Sequence, residues 1–228
     1  MKNKLNDERK RVARPEFTLF DIQIGVGDEE FKKGKNLFDS GKVKKMKSDY
    51  WGFSAIVSGT HDYFVFISAT NFDRGNCNCY VGQKEILCKH MIALTIASVA
   101  KYRPEDSKVV DIPLDQAVCS GEVRDITKDE LSTIKKEIRS ALIHIKSYNG
   151  QSKTWFVYQN SLLKGKRLML YTLSNLPICK ISADVCINLI IKLDDMLANS
   201  GIDDSDGTIG DLIEQNMELL SMFRDENL

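Results

Sequence analysis

Apolar positions recur at every second residue between about 43 and 69, and at every third or fourth residue beyond 88. The first period predicts strands and the second predicts helices. Val43-Lys-Lys-Met46 reads as an edge strand, because lysines discourage pairing with a further strand. In Trp51 to Val57, the side chains of Phe53, Ala55 and Val57 share one face. Ser58-Gly59-Thr60 is a turn signal, and Asp62 to Ala69 alternates again, so the two runs predict an antiparallel hairpin. Ahead of the sheet, Asp28 is placed to cap a short helix over Glu29 to Ser40, with Gly41 as its stop. Asn71 to Glu85 is loop-like. From Cys88 the period becomes helical, with Ile92, Ile96 and Val99 on one stripe and Ala93, Ala97 and Ala100 beside it, until Pro104 ends the pattern.

Helical patterning dominates the second half. Thr127 and Glu130 have capping-box spacing, and Leu131, Ile134, Ile138, Leu142 and Ile145 follow as an amphipathic stripe with Gly150 beyond its end. Trp155 to Leu163 and Leu168 to Leu176 are apolar segments that suit connecting helices or, by their aromatic and β-branched content, a hairpin. Ser182 is expected to cap Ala183 to Asn199, with Val185, Leu189, Leu193 and Leu197 or Met196 inward and Gly201 as the stop. A last helix from Thr208 to Arg224 turns Ile209, Leu212, Ile213, Met217, Leu220 and Phe223 inward. These helices predict a small antiparallel bundle.

Composition adds a division within the chain. The 228 residues are 43% hydrophobic and 28% charged, as in ordinary soluble globular proteins. The formal net charge is zero, yet residues 1–103 carry +6 and residues 104–228 carry −6, which suggests two modules and an anionic partner for the first. The basic start, residues 1–17, has no apolar stretch of the secretory kind. The longest nearly apolar run, Met91 to Ala100, is far short of the roughly 18 residues a spanning helix needs. The expected setting is therefore the cytoplasm, with no membrane partner, where thiols stay reduced and clustered cysteines read first as metal ligands.

Such a cluster is present. Cys77-Asn-Cys79 and Cys88-Lys-His90 bring half of the six cysteines and one of the three histidines into fourteen residues. Three thiolates and an imidazole form a closed tetrahedral set for one structural zinc ion, with no position left for a reactive water. Cys88 and His90 fall at a helix start, so one turn presents both.

At these residues the chain resembles the SWIM zinc finger family, whose pattern is Cys-x-Cys, a variable gap, then Cys-x-His. The form Cys88-Lys-His-Met-Ile-Ala-Leu94 is typical of its helix start, and the likeness extends over roughly residues 30–101. The resemblance implies a ββα zinc module with DNA-binding or protein-contact roles, found beside Swi/Snf-type ATPases, in Mutator-type transposases and in recombination accessory proteins. The expected fold is therefore α+β. It has a mobile basic segment over 1–27, a zinc module over 28–103 with Cys77, Cys79, Cys88 and His90 as ligands, a linker over 104–126 and a mainly α-helical bundle over 127–228.

Lys42, Lys44, Lys45 and Lys47, with Arg74, Lys84 and Lys89 near the zinc loop, read as a phosphate-contacting face with Trp51, Tyr63 and Tyr80 as stacking platforms. The alternative is a solvated surface with a lysine-guarded edge strand. Ile202 to Ile209 resembles a calcium loop, but the positions that need carboxylates hold Ile202 and Ile213, so its acids are assigned to the next helix's N-terminus. No phosphate-binding glycine loop, nucleophile elbow or zinc-protease helix occurs. The expected function is a non-catalytic zinc module associated with nucleic acid, DNA in the first instance. The alternative is an adaptor within a larger protein complex, with an ATPase or a recombination factor as partner.

Overall fold

The computed structural model describes residues 13–109, 113–150 and 155–225. The chain forms two compact units that divide between residues 110 and 111.

The first unit opens with two helices, α1 (Leu19–Val26) and α2 (Asp28–Asp39). The segment 1–27 was expected to be mobile, but Phe17, Leu19, Ile22 and Ile24 are buried, and Phe17, Leu19 and Ile22 join the core. Thr18 and Asp21 make a reciprocal capping box that starts α1. Polar neighbours had hidden this short apolar cluster; residues 1–12 lie outside the described range. Asp28 is the first residue of α2 and not its cap; Gly27, at φ 79°, occupies the cap.

Four strands follow: β1 (Val43–Ser48), β2 (Gly52–Ser58), β3 (Asp62–Ser68) and β4 (Gly75–Cys77). They make an antiparallel sheet in the order β1-β2-β3-β4. The hairpin has its expected phase: Phe53 faces Ile67, Ala55 faces Val65 and Val57 faces Tyr63. β4 falls where a loop was expected. It has three residues and no apolar alternation, so no period reveals it. Its place depends on Gly75, where a Cβ would lie 2.2 Å from the Phe66 carbonyl oxygen.

Helix α3 (Lys89–Tyr102) packs across the sheet's inner face, with α1 and α2 behind it. Every residue from His90 to Val99 is buried, beyond the apolar stripe and the alanine face expected. A helix covered all round has an apolar core on more than one side. Thr95 and Ser98 fit there because their hydroxyls donate to the carbonyls of Met91 and Thr95. The two helices α2 and α3 approach closely at Gly34, where a Cβ would lie 2.4 Å from Ile92 Cγ2.

The second unit contains α4 (Lys128–Leu142), α5 (Trp155–Ser174), α6 (Lys180–Asn199) and α7 (Thr208–Asp225). The capping box of Thr127 and Glu130 starts α4 as expected, but α4 ends at Leu142 and its apolar stripe is mostly half-buried. The hairpin alternative for residues 150–180 is overturned: α5 is one continuous helix burying Leu162, Met169, Leu170 and Leu173. Gly165 lets it approach α4, since a Cβ there would lie 3.0 Å from the Ala141 carbonyl oxygen. The cap of α6 is Cys179, whose Sγ accepts from the Ser182 N–H, while Ser182 sits inside the helix. The expected linker over 104–126 is only partly a linker. Leu114 and Ile126 are buried, Val123 bridges Ile178, and the Ile178 N–H donates to the Glu122 carbonyl.

Replacing Gly34 with alanine tests the α2–α3 contact. Alanine is favoured in helices by about 1 kcal/mol, yet overpacking of this kind costs about 1–3 kcal/mol. The expected net result is a lower denaturation midpoint for the first unit; a raised midpoint would mean that the two helices part freely.

Candidate metal centre

The four ligands come from two short stretches of backbone. Cys77 closes β4, paired with Val65 of β3. Cys79 follows just past the strand end. Cys88 is the N-cap of α3, and His90 lies in its first turn. All four are buried, and their ligand atoms lie within 4.8 Å of one another. Cys77 Sγ and Cys88 Sγ stand 3.8 and 3.9 Å from His90 Nδ1. A tetrahedral zinc with ordinary Zn–S and Zn–N bonds needs about 3.6 Å between such atoms. The residues therefore fit one structural zinc ion, and Nδ1 is the ring nitrogen that faces it.

The surroundings hold each ligand in place. The His90 ring stacks on Tyr63 with centroids 4.2 Å apart. Its Nε2 edge faces Gly59, where a Cβ would stand 3.3 Å away. The Gly82 N–H donates to Cys79 Sγ at 3.3 Å. A Cβ at Gly82 would lie 2.4 Å from the Cys77 carbonyl oxygen, so the short 3-10 turn Gly82–Lys84 reaches the sulfur only with glycine at its head. Asn78, between two ligands, extends the sheet: its Oδ1 accepts from the Phe64 N–H at 2.9 Å, and its own N–H donates to the Phe64 carbonyl at 3.3 Å. Such partners of metal ligands fix the orientation of the ligand atoms.

The thiols also polarise one another. The close contact with Cys77 holds the Cys88 thiol well below its ordinary range, and His90 acts in the same direction. The same contact, with burial, pushes Cys77 far above the ordinary thiol range. Crowded thiols cannot all ionise in a buried site without a cation. A bound divalent ion supplies that charge and deprotonates its thiol ligands.

The seven basic positions do not form one surface. Lys42, Lys44, Lys45 and Lys47 lie at the β1 edge, whereas Arg74, Lys84 and Lys89 lie around β4 and the zinc ligands. Three strand spacings, about 14 Å, separate the two edges. All seven are exposed. Lys84 sits over the Tyr80 ring and donates to its hydroxyl at 2.8 Å. Of the expected platforms, Trp51 and Tyr80 are exposed, but Tyr63 is engaged with His90. Sequence reading had missed the roles of Gly82 and Asn78. The only signal was their position, one between two ligands and the other three residues after Cys79.

The SWIM zinc finger family model matches residues 63–98, a span that holds β3 from its second residue, β4, all four ligands and α3 as far as Ser98. The chain thus carries a zinc-binding module of the SWIM kind in this segment. β1 and β2 lie outside the match. No curated protein and no solved structure matches the chain. Among the described residues, no helix is long and apolar enough to cross a membrane.

Elemental analysis of the purified protein should find one zinc per chain. Cys77→Ser and Cys88→Ser should lose the metal and unfold residues 50–101, while the second unit stays helical by circular dichroism and resists limited proteolysis. Collapse of both units together would show that they fold as one. Gly82→Ala should weaken zinc retention against a chelator, because its Cβ displaces the Cys77 backbone.

Proposed function

We propose that the first unit is a non-catalytic, zinc-organised module that contacts nucleic acid. The observation that supports this reading is the state of its cations. Lys33, Lys35 and Arg103 are paired with Glu29 and Glu30, Asp39 and Asp106. By contrast, Lys42, Lys44, Lys45, Lys47, Arg74 and Lys89 are exposed, and none has an ion pair among the described residues. Unpaired cations remain available to displace the counterions of a phosphate backbone. The zinc serves geometry here, since four protein ligands leave it no position for a water to be activated.

The adaptor reading draws on the second unit. There Ile138, Leu142, Val185 and Leu189 line a groove between α4 and α6, bordered by Lys135, Arg139 and Lys192. An apolar groove with a basic rim suits an acidic amphipathic helix from a protein partner.

Titration with DNA at two salt concentrations separates the readings. Nucleic-acid binding predicts an affinity that falls steeply with salt. Charge reversal at Lys84 and Lys89 should weaken it without loss of zinc. No binding at low salt would leave the adaptor reading.

A further inference from the structure

The outer face of the sheet carries an arrangement that the zinc site does not use. Strand register sets two rows across it. Lys44, Ile56 and Phe64 form one; Lys47, Ser54, Phe66 and Asn76 form the other. Phe64 is 66% exposed, and Ile56 and Phe66 are half-buried. With Lys45 and Lys47, these side chains line an open groove of about 330 Å³ that has no carboxylate in its lining.

The lysines reach this face through a bulge. The β1–β2 register slips between Lys44 and Lys47, and Lys45 has φ 52°. Strict alternation from Val43 would turn Lys45 and Lys47 toward the core and Met46 toward water. With the bulge, Met46 packs against the core and all three lysines are exposed. A left-handed non-glycine residue costs about 1–2 kcal/mol, and bulges commonly re-aim side chains near functional surfaces.

We propose that this outer face binds unpaired nucleotides, with Phe64 and Phe66 stacking on bases and Lys44, Lys45 and Lys47 on the neighbouring phosphates. The proposal rests on the nucleic-acid reading above and deepens it to a single-stranded ligand. The two rings stand on one face of β3, two residues and about 6.8 Å apart. The lysines lie two strands away, at about 9.6 Å. Rings at the centre and cations along one margin suit a strand whose bases are free to stack on side chains. A duplex keeps its bases stacked inside and would press phosphates onto the rings. A protein partner would have to bring several carboxylates to match lysines whose groove holds none in its lining, whereas a phosphate backbone carries that charge along its length.

The experiment is fluorescence anisotropy of the full-length, zinc-loaded protein with a labelled oligothymidylate and a labelled duplex of equal length. The oligothymidylate should bind more tightly. Phe64→Ala should weaken it about 5- to 150-fold, and Phe64→Tyr should restore it. Lys44→Glu with Lys47→Glu should weaken binding and flatten its salt dependence. Zinc content and circular dichroism check that each variant is folded. Duplex binding that Phe64→Ala leaves unchanged would overturn this inference and leave the basic-surface reading standing. Single-strand binding lost only in Lys84→Glu and Lys89→Glu would do the same. Binding to neither probe would overturn both.

Discussion

The first unit depends on the meeting of four ligand atoms contributed by two stretches of chain, one at the end of a three-residue strand and one at the start of α3. β4 is three residues long, and the segment between Cys79 and Cys88 has a single short turn and no core of its own. Neither would hold its conformation on hydrogen bonds alone, because so few of them offset the cost of ordering the backbone. A structural zinc site supplies apparent binding energies of about 10–16 kcal/mol, comparable to the whole stability of a typical domain at about 5–15 kcal/mol. The ion is thus large enough to decide whether these residues are ordered.

That energy acts on the hydrophobic core through α3. Two of the four ligands sit at the start of this helix, and the next nine residues are all buried. The metal fixes where α3 begins, the sheet fixes the face it meets, and α2 closes the other side at Gly34. The second unit achieves order by another route, through long helices and a tie between Asn216 Nδ2 and the Cys186 carbonyl. It contributes nothing to the ligand set.

Elements were legible in the sequence where a hydrophobic period or ligand chemistry dictates them. The β2–β3 hairpin, α3, the start of α4 and the four zinc ligands have such a signature. The failures have physical causes. In α7 the buried positions among the described residues are Thr208, Ile209, Leu212, Asn216, Leu219 and Phe223, while Met217 is 49% exposed. A hydrophobic stripe drawn through that helix passes over Asn216 because it is polar, although its buried amide is satisfied as a donor by α6. In α5, Trp155-Phe-Val-Tyr158 favours a strand locally, and packing against α4 at Gly165 overrides that preference. Residues 113–126 look like a linker because Pro113 and scattered charge mask Leu114 and Ile126. The basic residues are evident in the sequence but their arrangement is not, since strand order alone places the two groups on opposite edges.

Metal and sheet are joined more closely than ligand geometry requires. Asn78 lies between two ligands, so the ion restrains its backbone on both sides. Its side chain and its N–H bond to the N–H and the carbonyl of Phe64, where β4 has already ended. The start of β3 therefore keeps its pleat through a residue that the metal holds. Because the pleat sets which way a strand side chain points, the outward direction of Phe64 is coupled to the zinc through Asn78. Tyr63 makes the complementary link on the inner face by stacking on His90. Adjacent residues of one strand thus connect the metal to both faces of the sheet. A structural ion can in this way shape a face of the sheet that contains none of its ligands.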